Sequence, residues 1–343
     1  MRSSLWDSTG VDLLYVTHPD FARHETGDWH PERPARLRAV ARGVAESGLG
    51  VIEVEAPEVD RDHLETVHKP AYVAAVERFV AAGGGELDPD TVVCEHSWSA
   101  AVHAAGAGIE AVRLLQPGQT AFLATRPPGH HALPDRAMGF CLFNNVAVTA
   151  RHLTNSGHRV AIVDWDVHHG NGTEAIFCGD PDVLYMSVHQ HPFYPFEGEL
   201  ENLGDGDAVG TNLNLPVPAF TAGDVYTAAF RDLFSPVLST FKPDWILVSC
   251  GYDAHEGDPL AELRLESADY GWLASQLTAV VPPHRIVVFL EGGYHLPAIT
   301  ESVAATLRGL GGETFPEPTG NSPEGAWANF RGLFESARSH WEL

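Results

Sequence analysis

Only 21 lysines and arginines stand against 46 aspartates and glutamates, a formal net charge of −25 over 343 residues. A general nucleic-acid binder would need a basic patch, so this balance argues against direct nucleic-acid binding. The same acidity would draw a cationic substrate, although acidity spread evenly over the surface serves solubility equally well. The chain has four cysteines, Cys94, Cys141, Cys178 and Cys250, and no C-x-x-C pair. They are expected to be packing thiols rather than disulfides or thiolate metal ligands. No run approaches the roughly 20 apolar residues of a membrane helix. The opening MRSSLWDSTG lacks the basic-then-apolar order of a signal peptide, and a cytoplasmic enzyme is expected. Internal repeats, linkers, low-complexity tracts, H-E-x-x-H, G-x-S-x-G and Walker motifs are all missing. The stretch 106-GAGIEA-111 resembles a dinucleotide fingerprint only superficially, because it lies within a helical pattern rather than after a strand.

What is present is a core-forming chain, 44% apolar, in which apolar runs alternate with helical patterns. Strands are expected at 11–17, 120–125, 159–164, 183–188 and 245–250, with a further one at 285–290 and a short extended piece, NLNLPV, at 212–217. Helices are expected at 34–47, 70–82, 97–115, 143–155, 172–178, 221–240, 267–280, 297–310 and 326–338. Strands separated by helices of ten or more residues imply right-handed crossovers and a mostly parallel sheet covered on both faces. Near-continuous apolar strands fit that burial. One α/β domain spanning 1–343 is the expectation.

Four polar clusters carry the chemistry. In 163-VDWDVHHGNG-172, Asp164, Asp166 and His168 stand at i, i+2 and i+4 after an apolar strand, which in extended chain aims all three the same way. Two carboxylates and an imidazole gathered there call for a cation. In 126-RPPGHHA-132 a His pair leaves a strand through a stiff Pro-Pro-Gly loop. In 250-CGYDAHEGDP-259, Asp253 follows the strand at 245–250, and in 291-EGGYH-295, Tyr294 follows two glycines after the strand at 285–290. Each cluster lies past the C-terminal end of a strand, the edge where open α/β sheets bind ligands. His18, His24, His30, His189, His191, His255 and His295 taken singly are better read as core or solvent histidines.

The stretches HPERPARL, RPPGHHA, GFCLFNNVAV, VDWDVHHGNGTEAIF, SVHQHPFYP, LVSCGYDAHEGDPL and LEGGYH together resemble the zinc-dependent histone deacetylases and acetylpolyamine amidohydrolases, especially the class II branch and its bacterial relatives. The resemblance runs from about residue 30 to 295. It implies a single arginase-like α/β domain with a central eight-stranded parallel sheet flanked by helices, and a metal-dependent amidohydrolase acting on linear amides. It further implies Asp166, His168 and Asp253 as ligands of one Zn2+, a set that also accepts Fe2+. By the same resemblance His131 is general base and acid, His130 its electrostatic partner held by Asp164, and Asn171 the residue orienting His131. Tyr294 donates to the substrate carbonyl. Gly139, Phe140 and Tyr194 line a narrow tunnel, with Asp88 or Asp90 at its rim, and K+ binds beside Asp164 and Ser187. Polyamine-directed members place a Glu directly after Gly-Asp-Pro, where this chain has Leu260, or carry a long insertion where the stretch 83–98 is short. Acetyl-lysine in peptides or proteins is therefore the expected substrate, with acetylpolyamines or other small acetylated amines the alternative. A non-catalytic acetyl-amine binder would lack part of the polar set, and a two-manganese ureohydrolase would want further carboxylates.

Overall fold

The computed structural model describes residues 11–341, so the opening decapeptide read above as no signal peptide lies outside the described residues. Eight strands form the central sheet: β1 (Asp12–Thr17), β2 (Val51–Glu55), β3 (Gln119–Leu123), β4 (Val160–Asp164), β5 (Val183–Gln190), β6 (Asn212–Val217), β7 (Trp245–Cys250) and β8 (Ile286–Leu290). Their order is 2-1-3-8-7-4-5-6, and every pairing is parallel. Successive side chains of one strand enter two different cores. Ala161 and Val163 of β4 join one apolar cluster, whereas Val160 and Ile162 join the other. A sheet covered on both faces explains why its strands read as unbroken apolar runs rather than as alternation. The chain is a single α/β domain.

β2 has no such run, and its residues are mostly exposed. It is a sheet edge, held to β1 by backbone pairing from Leu13↔Val51 to Thr17↔Glu55, and its glutamates discourage further strand addition. The opposite edge, β6, tolerates Pro216 because an edge strand leaves donors unused. The helix Glu324–Ala337 packs along it, and Asn329 Nδ2 donates to the Pro216 carbonyl at 2.8 Å. The helix expected at 221–240 runs from Gly223 to Phe241 but widens to π geometry over Ala229–Phe234, just before Pro236. Proline has no N–H to continue an α-helical ladder, and the wider turn absorbs that gap.

The four polar clusters leave β3, β8, β7 and β4, which are the four consecutive central strands. The chain steps from β3 to β4 and leaves room that β7 and β8 later fill. The order reverses there, so the loops at this edge diverge and open a crevice.

Candidate active site

β4 ends at Asp164, and the chain then turns instead of staying extended. Asp164 is thereby separated from the ion-binding direction suggested by the i, i+2, i+4 spacing. Its Oδ2 lies 3.1 Å from His130 Nδ1 and accepts from the Tyr185 hydroxyl at 3.2 Å. The turn instead brings Asp166 and His168 against Asp253 from β7, and these three buried residues offer ligand atoms within 4.8 Å of one another. Backbone amides hold the carboxylates. Gly292 N donates to Asp166 Oδ2 at 2.7 Å, and Val167 N donates to Asp253 Oδ1 at 2.9 Å. Asp253 Oδ2 is buried without a hydrogen-bond donor, although His168 Nδ1 stands 3.2 Å away. An unpartnered buried carboxylate oxygen beside a second carboxylate and an imidazole fits a divalent cation, which would satisfy all three. A Cβ on Gly292 would collide with Asp253 Oδ2, so only glycine leaves room there.

A second group, His18, Asp20 and His103, also gathers ligand-type atoms. Arg23 already pairs with Asp20 at 2.9 Å, and the two imidazoles are stacked 3.7 Å apart and nearly parallel. Parallel rings send their lone pairs side by side instead of toward one ion.

The His pair has its two rings 4.0 Å apart, centre to centre. His131 Nδ1 donates to Asn171 Oδ1 at 2.9 Å, which leaves Nε2 with its lone pair free. Burial, together with the neighbouring His130 and His168, holds the His131 pKa well below that of an ordinary histidine. Burial alone would do the same to His130, but Asp166 and Asp164 overcome it and push that residue up to about 10. Burial and Asp253 keep the Tyr294 hydroxyl protonated.

These groups open on a cavity of about 260 Å³, lined by His130, His131, His168, Tyr294, Gly139, Phe140, Tyr194, Leu260, Asp90, Pro128 and Gly292. Asp166, Asp253, Asp164 and Asn171 sit directly behind this lining. Gly139 has φ 56°, and a side chain there would run into the His131 ring. Phe140 follows with φ 68°, its amide donating to Thr91 Oγ1 at 3.1 Å. Asp88 is spent on capping the Asp90 and Thr91 amides, which leaves Asp90 as the carboxylate lining the mouth. Ser187 is in register with Asp164 and shares a hydrogen bond with His189.

Sequence reasoning missed several residues that support this site. Glu291 Oε2 accepts from Gly129 N at 2.7 Å and His130 N at 3.2 Å, fixing the loop that carries the His pair. Arg36 donates through Nε to the Gly293 carbonyl at 2.7 Å, and Asp258 lies buried behind Tyr294. Pro128 lines the cavity. All four lie inside the matched stretches, but a hydrogen bond to a distant backbone group leaves no spacing signature. His30, set aside as a bystander, packs edge-on against Phe140 at 4.7 Å.

A buried carboxylate–imidazole group able to hold an ion, an imidazole with a free lone pair and a protonated phenol on one cavity are equipment suited to an amide hydrolase. A family model described as the histone deacetylase domain matches residues 30–310. A probable deacetylase of Methanothermobacter thermautotrophicus is 39% identical over 336 residues, covering 96% of this chain and 100% of its own. Human polyamine deacetylase HDAC10 is 36% identical over 333 residues, covering 91% of this chain and 49% of that longer protein. The crystal structure of the HDA15 HD domain matches with a TM-score of 0.90 at 33% identity, covering 98% of this chain and 96% of that one. The chain belongs to the histone deacetylase family and is a hydrolase acting on acetyl amides. Among the described residues no helix is long and apolar enough to cross a membrane.

Proposed function

We propose that this chain is a zinc-dependent deacetylase of cationic amines that prefers acetyl-lysine in peptides or proteins, residues 1–343 working as one domain in the cytoplasm. The observation that carries the reading is the convergence of the Asp166–His168–Asp253 group, His131 and Tyr294 on one cavity. When bound by those three residues, zinc, or Fe2+ in its place, supplies the Lewis acidity that polarises an acetyl carbonyl and acidifies a water. His131 Nε2 takes the proton of the attacking water and passes it to the departing amine. His130, kept charged by Asp164 and Asp166, adds positive potential where the oxyanion develops, and the Tyr294 hydroxyl donates to that oxygen. Phe140 and Tyr194 pack the methylenes of the acylated side chain, and Asp90 accepts a backbone N–H of a peptide at the mouth. Asp164 and Ser187 stand where a structural K+ would bind.

Leu260 at the mouth supports the lysine preference, since it offers no charge to a distal ammonium. The acetylpolyamine reading draws on the net charge of −25 and on the name of the human relative. Long-range charge raises encounter rate but is screened beyond about 8 Å at physiological salt, whereas a gate contact discriminates at close range. Metal-replete protein assayed on acetyl-lysine peptides and N-acetylated polyamines side by side should show the higher kcat/KM on peptides. Leu260→Glu should shift the preference toward polyamines, and Asp253→Ala should lose metal and turnover together. Polyamine turnover at least about tenfold more efficient than peptide turnover would reverse the substrate choice. Full activity of Asp253→Ala would remove the metal assignment.

A further inference from the structure

We propose that Asp258 is the positioning residue for Tyr294: its carboxylate fixes where the tyrosine hydroxyl stands in the cavity and ties it to the gate residue Leu260. The assignment rests on the deacetylase reading above. Tyr294 follows Gly292 and Gly293, the latter at φ 110°, and two glycines give the segment maximal backbone freedom and no side chains of their own to anchor it. Something outside the segment must therefore aim it. Asp166 holds Gly292, and Arg36 holds the Gly293 carbonyl while its guanidinium carbon lies 5.2 Å from the centre of the Tyr294 ring. Among the described residues only Asp258 grips the backbone of Tyr294 itself. Its Oδ2 accepts from Tyr294 N at 2.7 Å and from His295 N at 3.3 Å. Its Oδ1 accepts from Leu260 N at 3.0 Å.

Three amides on one carboxylate that is 6% exposed make a rigid joint. Water has little access to compete for these three bonds, so the geometry they impose is kept. The carboxylate also holds the amide of His295, the residue at which the helix Leu296–Leu310 begins, so the joint fixes the segment on both sides of the tyrosine side chain. Asp258 shares its loop with Asp253. The segment that would bring one metal ligand therefore also brings the tether of the hydroxyl that acts on the same carbonyl. An asparagine at this position accepts on one side only and turns an NH2 toward an amide on the other.

The test is a double-mutant cycle on one acetyl-lysine peptide, with metal content and Tm measured for each variant. Asp258→Asn should lower kcat by about tenfold to a hundredfold, the scale of a misplaced catalytic group. KM should move by less than about threefold, and metal content should hold. Added to Tyr294→Phe, the same substitution should cost less than about threefold further, because the hydroxyl it aims is already gone. Full additivity, or a single-variant kcat within about twofold of wild type, would overturn the proposal. A crystal structure of Asp258→Ala gives a readout independent of turnover. Tyr294 should be displaced while Asp166, His168 and Asp253 stay in place, and an unmoved Tyr294 would also overturn it. Failure of the wild-type enzyme to cleave any acetyl amide would instead sink the deacetylase reading, and the crystal structure would still decide the positioning.

Discussion

His130 and His131 are neighbours in the chain with opposite electrostatic surroundings. Two carboxylates draw a proton onto the first, while burial and two imidazoles strip it from the second. Titratable neighbours whose environments push them apart divide the labour of acid and base. In the proposed mechanism the neutral ring, with Nδ1 committed to Asn171, would move the proton, and the charged ring would supply potential. His131→Ala should therefore cost more kcat than His130→Ala. Tyr294→Phe, which removes one hydroxyl donor and no ion ligand, should lower kcat by about 10²-fold while metal content holds. Steady-state kinetics with metal analysis on the three variants checks both statements; a His130→Ala enzyme slower than His131→Ala would exchange the two roles.

At the scale of elements, the turn after β4 and the left-handed Gly139–Phe140 pair do the shaping. Gly139→Ala puts a methyl group against the His131 ring at a positive φ. The strain should cost about 1–3 kcal/mol and, through the shifted ring, at least about tenfold in kcat/KM. A thermal melt and peptide kinetics test this, and unchanged activity would mean that the ring is not held from that side. The elements whose sequence already announced them are those buried on both faces, since β1, β3, β4, β5, β7 and β8 each read as an apolar run. β2 escaped because an edge strand gains its shape from a neighbour's backbone. The four site clusters could be read because each follows such a run. Their adjacency could not, because it depends on β7 and β8 entering between β3 and β4. Spacing alone also groups Asp164 with the ion ligands; the family resemblance set it beside His130 instead, and the turn that does so depends on His130 and Tyr185 arriving from elsewhere in the chain.

On the scale of the whole molecule, the loop before the first long helix is locked to the sheet by a buried ion network. Glu32 accepts from Arg36 Nη1 at 3.0 Å and Arg126 Nη2 at 2.8 Å, with none of the three exposed. Burial would raise the Glu32 pKa, but Arg126 and Arg36 bring it down to about 2, well under that of an ordinary glutamate. A carboxylate lowered on folding stabilises the fold above its unfolded pKa, and that stability is lost as pH falls through the folded one. Wild-type Tm should accordingly fall between about pH 4.5 and 2, and Glu32→Gln, already destabilised near neutrality by about 3–5 kcal/mol, should show a flatter acid limb. Parallel melting curves down to pH 3 would show that the network contributes nothing to acid sensitivity.

The strand order 2-1-3-8-7-4-5-6 also sets a timetable for synthesis. A chain emerging from its N-terminus completes two half-sheets, 2-1-3 and 4-5-6, before the residues that join them exist. Until 245–290 arrive, β3 and β4 present bare hydrogen-bonding edges toward each other across a two-strand gap, and unpaired edges of this kind invite association with other chains. The last strands to be made are the keystone of the sheet and also carry Asp253 and Tyr294. A nascent chain thus pairs these two open edges and completes its candidate active site in the same event.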